Sequence, residues 1–169
     1  LMFHIIAHII KNTDWEIVTI DRLDISGNLN RLHEILDQFH LKDKKRLKVV
    51  FHDLKAEINS QISSEIGKPD IILHLAAASH VDRSISTPLN FLNSNVVGTF
   101  NILESVRKYW QKLPLKRKEI FRLHHVSTDE VFGSLGSEGF FKESSKYSPR
   151  SPYSATKAAS DHLVQAWYH

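Results

Sequence analysis

Four short apolar runs recur along the chain: EIVTI at 16–20, LKVVFHD at 47–53, IILHLA at 71–76 and FRLHHVS at 121–127. Each is too short for a typical helix, and near-continuous apolar character over so few residues is the mark of a strand covered on both faces. The stretches between them read as helices. Residues 1–12 carry Phe3, Ile5, Ile6, Ile9 and Ile10 at helical spacing, polar helices are expected at about 28–39 and 55–66, the latter stopped by GKPD, and a long helical pattern follows Pro88 through FLNSNVVGTFNILESVRKYW. Residues 134–150, rich in Gly, Ser and Pro, read as a loop, and the segment from Pro152 onward reads as a helix. Strands alternating with helices define an α/β domain with a doubly wound parallel sheet. Ligands in such sheets sit beyond the carboxyl ends of the strands, and there the chain places Asp21, Asp53, the AAAS turn at 76–79 and STDE at 127–130.

Composition narrows the chemistry. The chain has 169 residues, 41% of them hydrophobic and 24% charged, enough for one globular domain with a real core. The net charge is only +3, and the basic clusters KDKKRLK (42–48) and LKRKE (115–119) lack interleaved aromatics, so they read as solvated loops and no nucleic-acid partner is expected. The absence of cysteine excludes disulfides, thiolate catalysis and Cys-ligated zinc. The start LMFHIIAHII lacks a basic region and a cleavage site, and no apolar run reaches membrane-spanning length, so a cytoplasmic protein without a membrane partner is expected. His4 and His8 share a helix face but lack a third ligand, so surface or partly packed roles are expected of them; His124 and His125 point to opposite faces of a strand, where packing is the expected role, and no metal is expected.

The segment SPYSATKAASDH (151–162) carries the clearest chemistry. Ser151 can cap a helix that begins at Pro152, which sets Tyr153 and Lys157 on one face. A nearby ammonium lowers the pKa of a phenol and makes it a candidate general base. Taken alone, a Tyr-x-x-x-Lys pair is more often an aromatic packed on a lysine stem, and adjacent acids such as Asp129 and Glu130 are more often solvated loop residues. Their joint occurrence, in this order after the fourth strand, shifts the balance toward a site.

HLAAASHVDRSI, SNVVGT, VSTDEVFG and SPYSATKAASDHLV together resemble the extended short-chain dehydrogenase/reductase superfamily, and within it the nucleotide-diphosphate-glucose 4,6-dehydratases, above all the dTDP-glucose branch of rhamnose biosynthesis. The likeness spans nearly the whole chain in the same order. It implies a Rossmann-like sheet, NAD as cofactor, a nucleotide-sugar substrate, and a homodimer built through helices at roughly 88–110 and 152–169. It also implies the catalytic roles. Tyr153 takes the C4 hydroxyl proton, Lys157 tunes Tyr153 and binds the nicotinamide ribose, and Thr128 bonds the sugar hydroxyl. Glu130 removes the C5 proton, and Asp129 protonates the departing C6 hydroxyl. Asp21 matches the carboxylate that holds the adenosine ribose, with Arg22 beside it weakening the preference for NAD over NADP; a turn residue is the plainer reading of Asp21. Asp53 and Leu54 match an adenine-contacting pair, Leu75, Ala76 and Ala77 match the backbone under the cofactor, and Ser94, Ser79 and His80 are weaker candidates for cofactor or sugar contacts. An epimerase of the same superfamily needs only the redox pair, so Thr128-Asp129-Glu130 is the discriminating triplet. The alternatives kept open are the same reaction on UDP-glucose, an epimerase or decarboxylase, and an inactive nucleotide-binding homologue.

The chain departs from the family pattern in several places. No G-x-x-G-x-x-G motif precedes the first helix, Ala78 stands where Glu is usual, and Phe132 stands where Tyr is usual. The expectation is therefore a partial NAD-binding Rossmann domain over residues 1–169, with its first strand and glycine loop upstream and most of the substrate domain downstream. Such a segment alone is expected to bind cofactor poorly and to turn nothing over. In the strand order 3-2-1-4-5 the missing strand is central, so a gap through the sheet is expected.

Overall fold

The apolar runs become strands, and the strands pair in parallel. In the computed structural model, which describes residues 2–23, 34, 36–136 and 138–168, β1 (Ile17–Asp21) lies beside β2 (Leu47–Phe51), with Ile17 opposite Leu47 and Asp21 opposite Phe51. Likewise β3 (Ile71–His74) lies beside β4 (Arg122–His125), from Ile71 opposite Arg122 to His74 opposite His125. The fold is the α/β arrangement of a Rossmann-like sheet, and its described strands form two separate two-stranded sheets.

The chain divides into two compact units, Leu1–Asp53 with Asn59–Lys68, and Leu54–Ile58 with Pro69–His169. In the first, α1 (Met2–Asn12) buries Ile6 and Ile10, one turn apart, against Phe3, Ile17, Leu36, Phe39, Leu47 and Val49. His4 and His8 lie on its exposed side, as a surface role requires. After the short helix α2 (Leu41–Lys44), Arg46 donates to the carbonyls of Ile10, Thr13 and Trp15 at 2.7, 2.8 and 3.1 Å. The carbonyls at a helix C-terminus lack intrahelical partners, and a guanidinium satisfies several at once. The cluster at 42–48 is thus not simply a solvated loop: one of its cations ties off α1. α3 (Ser60–Ile66) begins later than the spacing at 55–66 predicts, because the Asn59 side chain caps it by accepting from Ile62 N at 2.9 Å. It ends at Gly67, whose φ of 81° is open to glycine at little cost. Most of the helix expected at 28–39 lies outside the described residues.

In the second unit, α4 (Val81–Ser86) leads into α5 (Pro88–Phe91), a π-helical turn at Leu92–Val97 and α6 (Gly98–Gln111). The basic cluster at 115–119, expected as loop, lies on a short helix, α7 (Leu115–Ile120), where Arg117 pairs with Asp70 at 2.6 Å. A 3₁₀ turn at Asp129–Phe132 follows β4, and α8 (Pro152–Tyr168) completes the unit. Its interior mixes Phe91, Ile102, Leu103, Phe121, Val131, Tyr153 and Ala158 with buried Ser84, Asn95, Thr99, Ser154, Lys157 and Ser160.

Asn95, only 1% exposed, connects three segments of this interior. Its Oδ1 accepts from Ala78 N at 2.7 Å, and its Nδ2 donates to Ala78 O at 3.1 Å and to Thr156 Oγ1 at 3.0 Å. Removing a buried hub that leaves several polar groups unsatisfied costs on the order of 2–4 kcal/mol. Asn95→Ala is therefore expected to lower the urea midpoint of the protein by that equivalent at unchanged slope; a loss below about 1 kcal/mol would mean the three segments are not joined there.

Candidate active site

The site grows from the start of α8. Ser151 Oγ accepts from Ser154 N at 3.0 Å, and Ser154 Oγ accepts from Arg150 N and Ser151 N at 3.1 and 3.0 Å. These reciprocal bonds satisfy the first turn and fix where the helix begins. Tyr153 and Lys157 then fall on successive turns of the same buried face, at 8% and 4% exposure. Lys157 Nζ donates to Val126 O at 2.7 Å, so its ammonium is anchored at the end of β4. Burial pulls its pKa down, and the Asp161 carboxylate works against that pull.

Val126, Ser127 and Thr128 carry the chain out of β4. Thr128 is extended and caps the following 3₁₀ turn, its Oγ1 accepting from Glu130 N at 3.3 Å. Val131, 1% exposed, plugs the turn into the core and leaves Asp129 and Glu130 at its start. Burial raises the Tyr153 phenol above its ordinary value, a hydrogen bond with Thr128 opposes this, and the charges of Glu130 and Asp129 raise it further. All four side chains therefore share one neighbourhood. Burial is the largest influence on the phenol, followed by the opposing Thr128 hydrogen bond and then the two carboxyls, while the Lys157 ammonium is directed at a backbone carbonyl.

A cleft of about 360 Å³ opens beside this neighbourhood, lined by Ser127, Thr128, Asp129, Phe132, Phe141, Lys142 and Glu143. That volume lies in the range of small-molecule sites. Lys142 and Glu143 escaped the sequence reading because they lie in a stretch with no periodicity or motif spacing. Phe132 keeps the ring expected at its position and packs on Phe141 and Tyr147, at centroid distances of 5.5 and 5.4 Å.

The residues matched to a cofactor are distributed over both units. Leu75, Ala76 and Ala77 leave β3, and the two alanines are exposed, offering main chain unobstructed by bulky side chains. Ser94 on the π-helical turn has a buried Oγ without a hydrogen-bond partner, next to Asn95, which holds Ala78. A buried hydroxyl left unmatched is suited to a polar group of a ligand. Ser79 and His80 are exposed, and His80 precedes α4 without capping it through its side chain. The Leu54 carbonyl accepts from Asn101 Nδ2 at 2.7 Å, so its backbone has a structural role. Within the other unit, Asp21 Oδ1 accepts from Leu23 N at 2.7 Å, the turn role weighed against ribose binding, and Arg22 lies 3.7 Å from Asp53. His124 is exposed while the His125 side chain is 5% exposed, as opposite strand faces require. Among the described residues no group of His, Asp and Glu is arranged to hold a metal, and no helix is long and apolar enough to cross a membrane.

Parallel strands, a Tyr-x-x-x-Lys helix and an acidic turn after β4 accord with the chain's family: it belongs to the GDP-mannose 4,6 dehydratase family, whose model matches residues 4–169. Among its relatives, dTDP-glucose 4,6-dehydratase of Neisseria meningitidis serogroup B is 45% identical, over 96% of this chain and 44% of the relative. The dTDP-glucose 4,6-dehydratase of Escherichia coli is 44% identical, over 96% of this chain and 46% of its own length. A solved dTDP-glucose 4,6-dehydratase of Bacillus anthracis in complex with NAD superimposes with a TM-score of 0.75 at 30% identity, over 98% of this chain and 46% of that one. The corresponding enzyme of Streptomyces venezuelae, solved with NAD and TYD bound, gives 0.77 at 32% identity, over 99% and 46%. The chain thus spans under half the length of the relatives it matches.

The phenol provides a direct check on this geometry. In an ultraviolet difference titration against Tyr153→Phe, Tyr153 is expected to ionise above the range of an ordinary tyrosine. Because Glu130 and Asp129 raise it, Glu130→Gln and Asp129→Asn should each move that ionisation to lower pH. Titration at the ordinary value, insensitive to both substitutions, would show that the carboxyls lie elsewhere.

Proposed function

We propose that the protein carrying this segment is an NAD-dependent nucleotide-sugar 4,6-dehydratase that converts dTDP-glucose to dTDP-4-keto-6-deoxyglucose. What supports this reading is that the helix carrying Tyr153 is tied by Lys157 to Val126 O and packs against the turn that begins at Thr128, Asp129 and Glu130, whose charges act on the phenol. Oxidation alone needs one base, whereas elimination of water needs a second base and an acid, and the acidic turn supplies two further carboxyls. The names of the most similar relatives support the same reaction.

The residues divide the work as follows. Leu75, Ala76, Ala77, Ser94 and Lys157 in one unit, and Asp21 and Asp53 in the other, are the groups proposed to hold the cofactor. NAD, when bound, would supply a hydride acceptor for C4, a hydride donor for C6 and a positive ring that favours the phenolate. Thr128 holds the C4 hydroxyl, and Tyr153 takes its proton as the ketone forms. The ketone acidifies C5, from which Glu130 removes the proton. Asp129 gives its proton to the C6 hydroxyl, which leaves as water. The Lys157 ammonium, fixed on Val126 O, maintains positive charge on the buried face that also carries Tyr153.

A full-length protein incubated with NAD and dTDP-glucose is expected to yield a 4-keto-6-deoxy sugar, detected by its absorbance in alkali, and to act more slowly on UDP-glucose. In Glu130→Gln, C4 oxidation should persist while turnover falls by about 10²–10⁴-fold, so that the absorbance of reduced nicotinamide accumulates. A 4-epimer as product would assign the protein to the epimerases, and wild-type turnover in Glu130→Gln would remove that residue from the mechanism.

A further inference from the structure

One buried carboxylate takes no part in the chemistry above, yet it binds the segment that carries it. Asp161 lies one turn beyond Lys157 on α8, with a side chain only 9% exposed. Its Oδ2 accepts from Ser127 Oγ at 2.6 Å and from the Tyr147 hydroxyl at 3.0 Å. Its Oδ1 lies 3.2 Å from His125 Nε2, on a ring that is itself 5% exposed. Ser127 immediately precedes Thr128, and His125 ends β4. Tyr147 belongs to the 134–150 loop, where its ring packs on Phe132 and His162 at 5.4 and 5.1 Å. One carboxylate therefore joins the end of β4, the residue before the acidic turn, the loop that walls the cleft, and the helix that carries Tyr153 and Lys157.

We infer that Asp161 is a positioning residue: its carboxylate clasps Ser127 to α8, and thereby holds Thr128, Asp129 and Glu130 at working distance from Tyr153. The argument is geometric. The acidic turn leaves β4 through three irregular residues, and the Lys157 bond to Val126 O fixes only the first of them. The Ser127 bond to Asp161 fixes the second, directly beside the reacting groups. Charge-assisted bonds of this length are stronger and more directional than neutral ones. Although burial would raise the Asp161 carboxyl, the neighbouring His125 and the hydrogen bonds from Ser127 and Tyr147 hold it below the ordinary range, so it is an anion at neutral pH. The Tyr147 phenol, buried and bonded to that anion, is pushed up to about 12 and stays a donor.

The inference rests on the dehydratase reading for its catalytic consequence, and not for the clasp itself. Two measurements on the full-length protein separate them. In Asp161→Asn and Ser127→Ala, kcat for dTDP-glucose is expected to fall by about ten- to a hundredfold, with KM changed less than about threefold, because displacing catalytic groups by about 1 Å costs that much. The double variant should be no worse than the poorer single one, since both break the same bond. The second readout needs no turnover. Ser127→Ala removes no charge, so a displaced Tyr153 ionisation in that variant reports movement of the acidic turn. An unmoved Tyr153 titration, or a double variant whose losses simply multiply, overturns the clasp. If wild type makes no ketosugar while the titration shifts, the positioning role stands and the dehydratase reading falls. Should Asp161→Asn fail to fold, Ser127→Ala, which removes a partly buried hydroxyl and no charge, decides the matter by the same two readouts.

Discussion

The inner face of α8 is polar, and that constraint governs the second unit. Ser154, Thr156, Lys157, Ser160 and Asp161 are all buried on a helix that an apolar interior would reject unless each found a partner. Each does. Ser154 closes the helix start, Thr156 donates to Tyr153 O at 2.8 Å and accepts from Asn95, and the Ser160 hydroxyl lies 2.8 Å from the carbonyls of both Asn95 and Thr156. Lys157 and Asp161 reach the residues leaving β4. Apolar surfaces can slide past one another by a fraction of a side chain at little cost, whereas a set of directional bonds admits one register. The position of Tyr153 follows from that register.

Polarity beneath the site also sets the behaviour of its buried ionisable groups. His74, bonded to Thr99 at 3.1 Å and stacked 5.1 Å from His125, is lowered to about 3 by burial and by the neighbouring His125 and Lys157, so it is neutral under ordinary conditions. The result is a floor with one fixed cation and one fixed anion, beneath a phenol that burial and two carboxyls keep protonated in the ligand-free protein.

Much of this was legible in the residues. Short apolar runs ending on polar groups imposed parallel strands, and Ser151-Pro152 located the start of α8, which placed Tyr153 and Lys157 on one face. The rest depended on contacts distant in sequence. The onset of α3 was set by an Asn59 side-chain bond rather than by apolar spacing, and Arg46 looked like one more cation in a basic run until its three carbonyl partners were in view. The direction of the Tyr153 shift could not be read from the helix alone, because helical spacing reveals that Lys157 is near but not that its ammonium is committed to Val126 O. Asp161 was invisible for a related reason: its partners lie 34 and 14 residues away, across the β4 exit and a loop without periodicity.

The π-helical turn at Leu92–Val97 makes the chain length there unforgiving. Wide turns of this kind accommodate one residue more than an α-helix needs, so a single deletion would restore regular geometry locally. Any further change in length, which no wide turn would remain to absorb, would rotate everything downstream by about 100° relative to everything upstream. Thr99 and Asn101, now directed at His74 and the Leu54 carbonyl, would turn away together, and Phe100, now 42% exposed, would be carried toward the interior. Insertions and deletions should therefore be excluded from this segment even where substitutions are tolerated, and the surplus residue acts as a ruler that matches the two halves of a long helix to different neighbours.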